Sequence, residues 1–398
     1  MKPIADIAAS LGLADEDVIP YGRYKAKVNH RLIHKALSIS CASSHKIDEN
    51  ALALSDKKAS AETVELYLKL QENLERGIML GHQDALAYGS NWFLDEGRSD
   101  VKSVCGDYPA VFGWDIGDIE KGNLANCESI PFTTLANYVR KVEQWGGISV
   151  FTWHASNPVT GKTASDCSTQ NAVKQVIEND SVQKKFLASL DKVAQFLGNL
   201  KDEAGEPIPV IFQPFHGHDS DTALWWSTTQ CSASNFKNLW KLTVNYLQNE
   251  KGVHNLLYAY SVYSNDPADI LPAYYPGNDF VDIIGINSHL LQGDGCSGRE
   301  FIQELNEGIA FVTQFAAKNK KIAAVTSTGL EGIKISDFFS KYLYPVISQY
   351  KLSFVLFEKN AWNQEKHYFI PVPGHPASED FIRFVSYPDI LTCDDIKK

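Results

Sequence analysis

From about residue 61 onward, apolar runs that end in polar residues recur at 77–83, 109–115, 146–154, 208–216, 255–263, 281–288, 321–328 and 354–360. Their apolar character is continuous rather than alternating, which marks parallel strands buried on both faces. Amphipathic stretches lie between several of them. Over 181–197, Val182, Phe186, Leu190, Val193 and Leu197 recur at helical spacing, with Lys184, Lys185, Asp191 and Lys192 mostly outside that stripe. Over 234–247, Phe236, Leu239, Trp240, Thr243 and Leu247 repeat the pattern, and Ser234 is placed to cap the helix. Eight strand–helix repeats predict an α/β fold, a (β/α)8 TIM barrel over 56–398, with its site at the C-terminal ends of the strands. A doubly wound sheet is the alternative. No GxGxxG or Walker-type string accompanies the strands, so no nucleotide cofactor is expected.

Residues 1–55 do not share this pattern and read as an N-terminal extension outside the barrel. The formal net charge of -11 disfavours nucleic acid and anionic membrane surfaces, which repel an acidic protein, and suits a neutral ligand. Aromatic residues reach 11%, enough either for a large core or for stacking on the C–H faces of sugar rings. The seven cysteines (41, 105, 127, 167, 231, 296 and 393) are scattered, with no CxxC or Cys/His cluster, so no metal is expected and at least one thiol is unpaired. No stretch of 18 apolar residues predicts a membrane span. Met1 is followed by Lys2-Pro3-Ile4-Ala5-Asp6, acidic where a secretory apolar run belongs, so the start as written carries no export signal.

The strand ends carry specific strings. Gly81-His82-Gln83-Asp84-Ala85-Leu86-Ala87-Tyr88-Gly89, Asp107-Tyr108-Pro109-Ala110-Val111-Phe112-Gly113-Trp114-Asp115-Ile116-Gly117 and Trp153-His154-Ala155-Ser156-Asn157-Pro158 are three of them. With Pro214-Phe215-His216 and Asn249-Glu250-Lys251-Gly252-Val253-His254-Asn255-Leu256-Leu257-Tyr258, they resemble glycoside hydrolase family 26, mostly β-mannanases, over about residues 55–390. The resemblance implies a β-mannan or related oligosaccharide as ligand, no metal or organic cofactor, and an extracellular or cell-surface setting. At the other end of the chain, Pro3 to Leu13 followed by Tyr21-Gly22-Arg23-Tyr24-Lys25-Ala26-Lys27-Val28 resembles the opening of formate–tetrahydrofolate ligase. That match stops before the enzyme's nucleotide-binding region and implies no activity. The run Leu37-Ser38-Ile39-Ser40-Cys41-Ala42-Ser43-Ser44 resembles a lipoprotein processing site with a shortened apolar segment.

The family's retaining mechanism needs two glutamates, one to protonate the leaving oxygen and one to attack the anomeric carbon. Carried over by motif, the acid/base falls at Gly217, after Pro-Phe-His, and the nucleophile at Ser327, before Thr-Gly. Glycine has no proton to give, and a serine hydroxyl is a poor glycosyl nucleophile unless a base activates it. Other positions depart with them. The family's Asp-x-Tyr after the sixth strand aligns with Asn287-Ser288-His289, its Trp–Arg pair after the eighth with Glu358-Lys359, and its Arg before Pro-Phe-His with Gln213. His154 and His216 persist at strand ends and are expected to touch ligand. Trp114 and the pair Trp225–Trp226 persist as sugar-stacking or core residues, while Asp115, Asp118 and Glu120 are expected to hold loops. Two readings follow. In one, the barrel has lost hydrolysis and binds a β-mannan-type oligosaccharide or nothing. In the other, it is a working glycoside hydrolase with Asp219 and Glu358 as relocated carboxylates, and a Ser327–His289 contact is the remaining way to activate the hydroxyl.

Overall fold

The structure is a computed structural model that describes residues 52–220, 222–263, 266–291 and 298–397, and the backbone of Val18–Pro20 and Ala26–Val28. The chain divides into Met1–Leu52 and Ala53–Lys398. Within the first unit, Val18–Pro20 and Ala26–Val28 pair antiparallel. The stretch 37–44 lies outside the described residues.

In the second unit, eight parallel strands close on themselves: β1 (Ile78–Gln83), β2 (Val111–Asp115), β3 (Ile148–Trp153), β4 (Val210–Pro214), β5 (Leu256–Tyr263), β6 (Ile283–Leu290), β7 (Ile322–Leu330) and β8 (Phe354–Phe357). Each pairs with its neighbour in chain order, and β8 returns to β1 with Phe354 beside Met79 and Phe357 beside His82. The predicted (β/α)8 barrel is the observed fold. A short added strand, Ile390–Leu391, runs beside the start of β1.

The strands form where continuous apolar runs were read because both of their faces are covered. Side chains of one parity fill the barrel, and those of the other pack under the helices. In β2, Phe112 and Trp114 face outward, where Trp114 stacks on Tyr138 of the helix Phe132–Gln144 with ring centroids 5.9 Å apart. The alternate residues Gly113 and Asp115 face inward, and a Cβ at Gly113 would collide with the Gln83 side chain. The helix predicted over 181–197 is Asp180–Gly198. That predicted over 234–247 is Ala233–Asn245, capped by Ser232 rather than Ser234, and it runs on into a π-helical turn at Tyr246–Glu250. At the opposite end from the site, the Asp282 carboxylate accepts from the Ser55 amide and hydroxyl, each at 2.7 Å, and from the Tyr258 amide at 2.8 Å. Among the described residues, no helix is long and apolar enough to cross a membrane.

Candidate active site

The C-terminal ends of the strands surround an open cup, whose wall includes His154, His216, Ser327 and Glu358. Every strand of the barrel except β5 places a residue in that wall or just beyond its end.

On the β2–β3 side, Asp115 closes β2 and accepts from four groups. His154 Nδ1 lies 2.5 Å from its Oδ2, with the Thr152 hydroxyl at 2.8 Å, and the Gly117 amide and the Cys127 thiol on Oδ1 at 2.5 and 3.4 Å. Burial alone would raise the Asp115 carboxyl, but the His154 imidazole and these hydrogen bonds outweigh it and hold the group well below the usual carboxylate range. For His154, burial would lower the imidazole, and the adjoining carboxylate wins and raises it. The His154 side chain is 42% exposed, and no hydrogen bond engages its Nε2 among the described residues. Its ring stands edge-on to His216, centroids 4.5 Å apart. His216 is pushed down to about 3, first by burial and then by His154, so it is neutral at ordinary pH. Asp115 therefore does more than hold a loop. Glu120 does hold one, accepting from the Ser156 amide at 2.7 Å and the Trp153 indole at 3.1 Å, and Asp118 pairs with Lys121 at 2.5 Å.

Across the cup, Ser327 of β7 sits between two neighbours. Its Oγ is 2.8 Å from His289 Nε2 and donates to Glu358 Oε2 at 3.2 Å. The anticipated Ser327–His289 contact is present, but one hydroxyl proton cannot serve both partners. With that proton on Glu358, the imidazole must donate to Oγ, which leaves the serine bridged rather than deprotonated. His289 is lowered, mainly by burial. Glu358 immediately follows β8, and its amide bonds to the Thr328 carbonyl at 3.0 Å. Burial would raise its carboxyl, but the Lys359 and His289 charges prevail and keep it below the ordinary range, while its side chain is 28% exposed to the cup. Lys359 also pairs with Glu128.

The floor is uncharged. Gln213 donates to the Ser261 hydroxyl at 2.6 Å, Asn287 donates to the same oxygen at 3.1 Å, and Thr326 donates to Asn287 at 2.8 Å. Gln213 and Asn287, expected from the resemblance to stand for the family's Arg and Asp, are thus a pair of amides joined through one serine. A neutral pair in place of an ion pair leaves no buried charge unmatched.

Other expected residues lie elsewhere. Gly217 occupies a turn after β4 at φ +67°, with room beside it: a Cβ would meet only Leu224 at 3.5 Å and Ser220 at 3.6 Å. Asp219 does not line the cup. Its Oδ2 accepts from the Tyr263 amide at 2.8 Å, and burial raises the carboxyl to about 6. Trp114, Trp225 and Trp226 are buried, so their faces are not open to a sugar. Trp225 donates to the Ala155 carbonyl at 2.9 Å and Trp226 to the His216 carbonyl at 3.1 Å, bracing the segments that carry the two histidines. Strand parity carried the missing signal, because an inward Asp115 obliges Trp114 to face the helices. Sequence reasoning also passed over Asp84 and Glu128. Asp84 lies one residue past β1 and lines the cup, donated to by Tyr88 at 2.8 Å and raised by burial to about 7. Glu128 is in a loop whose sequence has no period to read.

The glycosyl hydrolase family 26 model matches residues 55–341. A mannan endo-1,4-beta-mannosidase of Bifidobacterium adolescentis is 32% identical over 71% of this chain, and one of Bacillus subtilis is 26% identical over 56%. The chain spans 28% and 62% of those two relatives' lengths. Among solved structures, a β-mannanase from Bacteroides ovatus superposes with a TM-score of 0.80 at 37% identity, covering 85% of this chain and 98% of that one. A 35-residue stretch is 57% identical to formate–tetrahydrofolate ligase of Syntrophus aciditrophicus, which is 9% of this chain and 6% of that enzyme.

Proposed function

This chain belongs to glycosyl hydrolase family 26, and from that premise we propose that its cup binds β-1,4-linked manno-oligosaccharides while the family's two-glutamate route to cleavage is closed. The relatives named above are β-mannanases, and the cup at the strand ends retains polar residues able to face a sugar, His154 first among them. The observation that carries the loss is the pair Gly217 and Ser327 where the family's acid/base and nucleophile align, with Asp219 turned to a backbone amide instead of the cup. Acid–base help is worth about a hundred- to ten-thousand-fold, so a cup without it and without the usual nucleophile turns over little by that route. An extracellular or cell-surface setting, where such a polymer would be met, goes with this reading.

Isothermal titration with mannohexaose tests the reading. Saturable heat is expected from the folded protein; no heat at millimolar ligand rejects binding. A second reading, hydrolysis by relocated groups, is favoured by one observation, the Glu358 carboxylate beside Ser327.

A further inference from the structure

Glu358 stands close to where the missing nucleophile's carboxyl would lie. A glutamate at 327 would carry its carboxyl carbon one bond beyond the place of Ser327 Oγ, and Glu358 Oε2 is 3.2 Å from that oxygen. The neighbouring strand delivers it there because Thr328 of β7 pairs with Phe357 of β8, one residue before Glu358. The two departures are complementary in size. A short side chain at 327 leaves space, and a carboxylate at 358, where the family's Trp aligns, fills it. Across the cup, His154 lies edge-on to His216, with both rings in the cup wall and the His154 Nε2 engaged by no hydrogen bond among the described residues. Asp115 occupies Nδ1, so the proton at issue is on Nε2.

We propose that the cup cleaves β-mannosides by a relocated pair, with Glu358 as nucleophile and His154, held by Asp115, as the proton donor. The step rests on the binding reading above. A Glu358 oxygen forms a bond to the anomeric carbon as the glycosidic C–O bond breaks, and the leaving oxygen takes the proton from His154 Nε2. The product is a glycosyl ester of Glu358 beside a neutral imidazole. A water molecule then gives a proton to Nε2 as its oxygen attacks the anomeric carbon. The ester bond breaks, Glu358 returns as a carboxylate, His154 returns protonated, and two inversions leave the β-configuration. Ser327 positions the carboxylate through its hydrogen bond. The ionised state of Glu358 and the raised affinity of His154 for its proton suit these roles.

The experiment compares wild type, Glu358→Gln and His154→Ala on mannohexaose and on 2,4-dinitrophenyl β-mannobioside, whose leaving group needs no proton. Titration of mannohexaose into each protein runs alongside as a check on binding. Wild type is expected to cleave both substrates, releasing the β-anomer first. Glu358→Gln should lose about a hundredfold or more on both. His154→Ala should lose about a hundredfold on mannohexaose but less than about tenfold on the activated substrate, with azide converted to the β-mannosyl azide. No turnover by wild type that binds mannohexaose overturns the proposal and leaves the binding reading intact. The α-anomer as first product, undiminished Glu358→Gln, or equal losses in His154→Ala on the two substrates overturn it too. If wild type gives no heat with mannohexaose, it is the binding reading that fails.

Discussion

At position 327 a serine hydroxyl donates to Glu358, where the family's glutamate would instead crowd that carboxylate. Replacing it by glutamate would set a second carboxyl against Glu358, now 3.2 Å from Ser327 Oγ. Two like charges so close cannot both ionise cheaply, so one carboxyl must take up a proton. In Ser327→Glu, NMR titration of the glutamate side chains is expected to show one carboxyl at least about one unit above the usual 4.3, and two ordinary titrations would contradict this. The variant should not regain family-type cleavage, since Gly217 still offers no acid. Restoring an acid there has a different obstacle. The site has space, but at φ +67° any side chain strains the backbone by roughly 1–2 kcal/mol. At this scale the sequence was legible where a motif named a position that lines the cup: His154, Ser327 and Glu358 lie in its wall, whereas Gly217 does not. It misled where a residue type was read without its facing. Asp219 looked available until the Tyr263 amide claimed it, and of the two roles open to the three tryptophans, stacking or core, parity and packing leave the core.

Elements were more readable than residues because a strand covered on both faces must be apolar throughout, and that leaves an unbroken run in the chain. All eight runs became barrel strands, with ends displaced by a few residues where a polar turn begins. The cap of the helix Ala233–Asn245 was less legible, since Ser232 and Ser234 are both suited to capping. Only the hydrogen bond from the Asn235 amide to Ser232 Oγ, 3.3 Å, decides between them. The π-helical turn after it has no sequence signature. Nor had the tie of residues 54–56 to the barrel, a long-range contact in which one carboxylate serves three donors. Asp282→Ala orphans the Ser55 amide, the Ser55 hydroxyl and the Tyr258 amide together. Each unsatisfied buried donor costs about 1–3 kcal/mol, so a loss of roughly 3 kcal/mol or more is expected. Urea unfolding should show a lower midpoint at unchanged slope, and Asp282→Asn, which keeps one acceptor oxygen, should lose less. An Asp282→Ala midpoint equal to wild type would remove the clamp from the account.

The whole molecule carries an unusual set of buried ionisable groups, and their signs fix how its stability varies with pH. Burial foremost lowers His82 to about 4 and His216 and His218 to about 3. In the unfolded chain these imidazoles bind protons below about 6.5, so folding must release them, and their contribution is lost as pH falls from there. Burial acts oppositely on Asp84 and Asp219, raised to about 7 and about 6. The native state keeps those two protons above pH 4, where the unfolded state has shed them, so this contribution is lost as pH rises through 6 and 7. His289, lowered, and Asp282, raised, oppose one another in the same way. Over the acid range the three histidines outnumber the two aspartates, so stability should climb as pH rises toward 6. Above about 6.5 the native state still holds protons on Asp84 and His154 that the unfolded state has shed, so stability should turn down there. A maximum near pH 6–6.5 is expected in urea unfolding followed across pH. Asp84→Asn separates the two opposing sets. Asp84 is faced by Lys359, Tyr88, Glu128 and Asp115, and an asparagine oxygen can still accept from Tyr88. Without its proton the histidines meet less opposition, so the acid limb should steepen and the downturn above pH 6.5 should soften. An acid limb of unchanged slope in that variant would show that Asp84 ionises normally in the folded cup.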